Sequence, residues 1–264
     1  MKTALEQFTA AFKGETIKAK GTAAYWLTYA GPFFIIGIYL LAFFFKGHDM
    51  LPAKTDPWIP MVTRVWASAS MVFLPMYLIL LASQLLNLEH KNSAWRITYT
   101  LPYSKHVVFW SKFAMLLLLN ASAVVLTMIL TLGLGVTLSI IKPDLGFLVA
   151  NIPWKVAAAL MFKVLACTMG ILSIYYYVSF EVKNQVKSIG VGIGLFIITI
   201  IVASWEYAYL IPTFYPMTSG SAYIETIAKH TSMFTLKEIV VVSSYFVVFM
   251  AVAWYRTCHK RAAA

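Results

Sequence analysis

Six stretches of this chain are long, apolar on every face and almost free of charge: Tyr25 to Phe45, Val65 to Leu88, Phe113 to Ile141, Val156 to Phe180, Ser188 to Trp205 and Leu236 to Tyr255. A soluble core cannot surround so many such segments, whereas a bilayer demands them. Crossing roughly 30 Å of hydrocarbon at about 1.5 Å per residue takes about 20 apolar residues. Composition agrees, with 61% hydrophobic and only 12% charged residues in 264; a soluble domain has about 45–50% and about 25%. Strands of a membrane barrel would alternate apolar and polar side chains, which these stretches do not. The expected fold is therefore an all-α integral membrane protein, a single transmembrane domain over residues 1–264 with six transmembrane helices. The third stretch is long enough to require tilt or an interfacial end.

The formal charge of +11 fits either a nucleic-acid surface or basic loops that fix membrane topology. Thirteen of the twenty-one Lys and Arg residues fall in the N-terminus, the 87–112 segment, the 181–187 segment and the tail, all on one side of a six-span layout. Five fall on the other side, and Arg64, Lys163 and Lys237 lie in or at spans. Positive residues favour the cytoplasm, so both termini are expected inside, and no nucleic-acid partner is expected. Residues 1–24 bring Leu5, Phe8 and Phe12 near one helical face with Lys13, Lys18 and Lys20 toward water, the pattern of an interfacial helix. No small-residue cleavage site follows the first stretch, which is expected to remain in the mature protein. Pro32 and Pro75 lie within spans, where they can kink a helix, and Gly190 and Gly194 have a spacing that permits close helix contact.

Several chemistries lack their residues. The five histidines, His48, His90, His106, His230 and His259, all lie outside the apolar stretches, so haem or metal held between spans has no ligands. Cys167 and Cys258 support neither a disulfide framework nor a metal site. There is no Walker sequence, so any ATP and its Mg²⁺ belong to a partner, and the chain is not expected to be an enzyme by itself. The cluster of Ser219, Gly220 and Ser221 has no histidine to serve it as a hydrolase. Charges at depth are often functional, and Lys163 and Glu206 form a candidate intramembrane pair; the alternative is that Lys163 snorkels and Glu206 sits among headgroups.

The loop after the second stretch begins at Glu89 and passes Trp95, Arg96 and Tyr99 to Thr100, Leu101, Pro102 and Ser104, with Lys112 opening the third span. A short polar helix with Trp95 and Tyr99 four apart, stopped before Pro102 and restarted by Ser104 as an N-cap, is the expected local structure. This order of an acid, a T-L-P-x-S-K stretch and a lysine resembles the permease subunits of type-2 ABC exporters, whose corresponding loop is a coupling helix docking into an ATPase subunit. The layout also matches: an N-terminal elbow helix, six spans, and a longer last outer loop, here 211–235, with short re-entrant helices that cap the exit path. It is most similar to the lantibiotic-immunity and bacitracin-type permeases.

The resemblance implies a bacterial cytoplasmic (inner) membrane protein paired with a second permease, identical or related, and with a separate ABC ATPase. It assigns ATPase coupling to residues 89–104: Glu89 as the anchor, Trp95, Arg96 and Tyr99 as the docking face, and Thr100, Leu101, Pro102 and Ser104 as the stop. Glu181, Lys183 and Gln185 would form a smaller cytoplasmic contact. An apolar, aromatic cavity would suit a hydrophobic or amphipathic cargo, such as a peptide, an antibiotic or a lipid. Two other classes share the spans: an accessory or scaffold subunit, which needs no docking loop, and an ion-driven transporter, which needs midplane carboxylates.

Overall fold

The computed structural model describes residues 3–51, 56–91, 104–220 and 234–259, all helical or irregular, with no strand among them. Nine α-helices are described: α1 (Ala4–Lys20), α2 (Ala23–Met50), α3 (Trp58–Ser68), α4 (Leu74–Lys91), α5 (Lys105–Ile141), α6 (Trp154–Glu181), α7 (Gln185–Ile201), α8 (Phe214–Ser219) and α9 (Leu236–His259). Among the described residues, five helical segments are long and apolar enough to cross a membrane: Ala23–Met50, Trp58–His90, Lys105–Ile141, Trp154–Glu181 and Leu236–Cys258. The fifth stretch forms the shorter apolar helix α7, of 17 residues, which stops at Ile201 instead of continuing to Trp205.

Boundary chemistry explains the lengths. Thr3 and Glu6 form a reciprocal capping box at the start of α1, which ends at Gly21 just past Lys18 and Lys20. The cap expected of Ser104 is present: its hydroxyl accepts from the Val107 amide at 3.3 Å, so α5 begins eight residues before the apolar stretch does. Asn184 caps α7 through the amides of Val186 and Lys187.

Pro32 leaves α2 helical; the interruption there comes at Lys46, whose backbone is non-helical. Pro75 acts differently. With no amide hydrogen and a ring that crowds the preceding turn, it is incompatible with a regular α-turn before it, and a π-turn at Ala69–Phe73 joins α3 to α4. The second span thus consists of two α-helical halves on either side of a wide turn.

That span is the packing centre. Trp58, Phe73 and Ile79 press their side chains onto Gly135, Gly31 and Gly192 of three neighbouring helices, and the backbone at Trp66 and Ala67 lies against Gly220. Any Cβ at these glycines would collide; at Gly192 it would stand 2.7 Å from Ile79. The contact glycine of α7 is therefore Gly192, while Gly190 and Gly194 face open space. The short helix α8 buries Tyr215, Pro216 and Ser219, with Tyr215 clustered with Cys167 of α6 and Val242 of α9, and the hydroxyls of Thr199 and Thr213 meet beside it.

The basic segments converge at one end. Lys18 of α1 reaches Glu89 at the end of α4, Asn87 of α4 reaches Gln185, and Trp254 near the end of α9 donates to His106 Nδ1 at 3.0 Å.

The glycine contacts are testable by thermal unfolding of the purified protein in detergent. Gly192→Ala and Gly220→Ala should each lower stability by about 1–3 kcal/mol through overpacking. Gly190→Ala and Gly194→Ala should be neutral or stabilising by up to about 1 kcal/mol. Equal effects at all four positions would refute this packing scheme.

Candidate functional site

Glu89 lies in the last turn of α4, where the chain leaves the helix for the 92–103 segment, and Lys112 lies two turns into α5, where it returns. Lys112 Nζ is 2.7 Å from Glu89 Oε1, and both side chains are almost wholly buried, at 4% and 1% exposure. Two residues of α1 complete the cluster: Glu15 Oε1 stands 2.8 Å from Lys112, and Lys18 Nζ stands 2.7 Å from Glu89 and 3.1 Å from Glu15. Two acids and two bases therefore alternate around a closed ring. Burial pushes the Lys18 ammonium down, but its hydrogen bond to Glu89 and the charge of Glu15 outweigh this and hold it above the ordinary lysine value. Burying charge is costly, and the ring is tolerable because every member has an opposite charge in hydrogen-bond reach.

The ring clamps α1 to both ends of the 92–103 segment. On the opposite side of α4, Asn87 Nδ2 donates to Gln185 Oε1 at 2.8 Å, and His90 Nε2 lies 3.2 Å from the Ser179 carbonyl oxygen. The hydroxyls of Ser179 and Ser188 meet at 2.8 Å. One helix end is thus fastened to the elbow-like helix, to the third span and to the 181–185 turn.

Of the residues proposed for coupling, Glu89 sits in the ring and Ser104 caps α5. Trp95, Arg96, Tyr99, Thr100, Leu101 and Pro102 lie outside the described residues. Of the residues expected to form a smaller cytoplasmic contact, Gln185 is joined to Asn87, Lys183 is exposed and Glu181 is half-buried. Glu15, Lys18, Asn87 and His90 were not among the sequence candidates. The i,i+3 placement of Glu15 and Lys18 was visible, but Glu89, the partner of Lys18, lies 71 residues away and Lys112, the partner of Glu15, lies 97 away.

At the other end of the molecule the candidate pair of Lys163 and Glu206 is not formed. Lys163 Nζ lies 3.1 Å from Glu238 Oε1, in the first turn of α9, while Glu206 is exposed in the turns after α7. Lys163 is buried, so it does not snorkel outward. Glu238 also accepts from the Thr235 amide at 2.9 Å, and Thr235 accepts from the Glu238 amide in turn. This second capping box fixes the acid where α6 can reach it. Among the described residues, no group of three His, Cys, Asp or Glu side chains is placed to hold a metal ion.

The sequence profile of the family described as ABC-2 family transporter protein matches residues 11–203. The chain belongs to this family. The match runs from α1 through α7 and so contains the whole charge ring and the loop it clamps. Comparison with curated proteins and with solved structures gives no match. As an ABC-2 family transporter protein it is a multi-pass membrane permease, of a kind that works with an ATP-hydrolysing partner.

The ring makes a quantitative prediction for this permease. Glu89→Gln leaves Lys112 buried against half of its former charge and should cost about 3–5 kcal/mol in detergent unfolding, whereas Glu89→Leu with Lys112→Met should recover most of the loss. Additive effects of the two positions would show that the ring is not a coupled unit.

Proposed function

We propose that this chain is the membrane-spanning permease subunit of an ATP-driven ABC exporter, with six spans and both ends in the cytoplasm. The loop 89–104 docks into a separate ATPase subunit, and α1 lies in the membrane interface as an elbow. The observation that carries the reading is the charge ring of Glu15, Lys18, Glu89 and Lys112, which fastens the elbow to both ends of that loop. A segment that must receive force from a motor needs a stiff mounting, and a buried ion-pair network provides one.

Topology follows from charge and from the packing. The basic segments gather at the ring's end, which the positive-inside rule assigns to the cytoplasm. As the fifth crossing, α7 rises only about 25 Å, a shortfall that a locally thinned bilayer accommodates. The buried α8 and the rest of 211–235 then lie on the outer side and cap the exit path.

In this reading two permeases, identical or related, face each other, and each rests on one ATPase carrying ATP and Mg²⁺. This chain is not itself an enzyme. ATP-driven closure biases two arrangements of the helices, with the π-turn before Pro75 as the flexible joint of the second span. The cargo class is amphipathic or hydrophobic, the compact layout is that of the lantibiotic-immunity and bacitracin-type branch, and the location is the bacterial cytoplasmic membrane.

The test is affinity purification of the tagged chain from its native membrane, followed by ATPase measurement in liposomes. A Walker-containing ATPase should co-purify. Replacing Trp95 and Arg96 together by Ala should reduce its association at least about tenfold, since aromatic and arginine anchors dominate such contacts, without altering the melting temperature of the permease. Purification without any ATPase, or unchanged association in the double variant, would favour a scaffold subunit.

A further inference from the structure

Helices α6 and α9 touch closely at Gly170, where an added Cβ would stand 3.2 Å from the Val242 carbonyl oxygen, and splay apart beside it. The resulting groove has a volume of about 480 Å³, within the range of about 300–1,000 Å³ usual for small-molecule sites. Its α9 wall is one stripe, Ile239, Val242, Ser243, Phe246 and Val247, facing Cys167 and its neighbours on α6. Among the described residues, the one charged side chain in its wall is Glu238, with the Lys163 ammonium 3.1 Å away.

The placement of this charge along the groove points to an occupant. Glu238 lies in the first turn of α9, the end of a candidate span, where a bilayer offers headgroups. From Glu238 to Val247 the helix rises about 13 Å, close to the half-thickness of a hydrocarbon core of roughly 30 Å. The groove therefore begins at a charge and runs apolar for the depth of one leaflet. Its charged end presents the Glu238 carboxylate, the complement of a head that bears a primary ammonium, while the Lys163 ammonium that pairs with it is buried and is not part of the groove wall.

We propose that this groove binds one acyl chain of a phosphatidylethanolamine molecule, whose primary amine donates to Glu238. A primary amine suits a carboxylate that accepts hydrogen bonds; the quaternary ammonium of phosphatidylcholine has no hydrogen to donate, and phosphatidylglycerol has no cation. The inference needs only that α6 and α9 lie in a bilayer, and it stands or falls independently of ATPase coupling.

Native mass spectrometry of the intact chain, extracted in mild detergent with equimolar phosphatidylethanolamine, phosphatidylcholine and phosphatidylglycerol, tests it. The wild type should retain one phosphatidylethanolamine in preference to either competitor by at least about tenfold, the factor that one charge-assisted hydrogen bond provides. Ser243→Trp, at an exposed position on the groove wall, should abolish retention, and Ala166→Trp on the facing wall is a second block should the first variant fail to fold. Glu238→Gln, which preserves the cap, should retain lipid but lose the head preference. Equal retention of the three lipids by the wild type would overturn the proposal, as would unchanged retention in both tryptophan variants. A second copy of the chain covering the groove would appear as Ser243→Cys disulfide dimers with no lipid retained, and would also overturn it.

Discussion

The ring of two carboxylates and two ammonium groups at one end of the bundle is the contact on which the rest depends. In hydrocarbon, helices gain little from burying apolar side chains against one another, because lipid tails are equally apolar. Position along and around the helix axes must come from close fit and from polar contacts. The ring sets where α1, the end of α4 and the start of α5 meet. The glycine contacts of Trp58, Phe73 and Ile79 then fix the second span within the bundle.

This arrangement divides the second span by task. Its half at the ring's end, α4, ends in the ring and in the contacts of Asn87 and His90 with the turn region between α6 and α7. Its far half, α3, is packed against Gly135 and against the backbone at Gly220. Between them, the π-turn before Pro75 is the one place in this span where the backbone departs from α-helical bonding. A force applied at the loop would reach the far half through that turn, which links the fold to the transport cycle proposed for it.

The class of fold was legible because hydrocarbon permits few solutions: long uncharged stretches read as spans. Ser104 was legible as well, since an N-cap is a local signal. What sequence could not give was the partner of each buried charge. Lys163 could be read as meeting Glu206 or as snorkelling; the structure sets it against Glu238, 75 positions away, an acid hidden at the edge of an apolar stretch. Likewise the spacing of Gly190 and Gly194 suggested a contact face, yet the residue between them bears the contact, because the rotation of α7 about its axis is decided by Ile79. Pairings of this kind depend on how helices are turned toward one another, and no one-dimensional period encodes that.

The central claim is that the ring's end faces the cytoplasm and presents the 92–103 segment to a motor. Substitution of Ser93 by Cys in a chain lacking Cys167 and Cys258, labelled with a membrane-impermeant maleimide in whole cells and in inverted vesicles, tests this directly. The account predicts labelling in inverted vesicles only, with protection when the ATPase partner is present. Labelling from the outside of intact cells would contradict it.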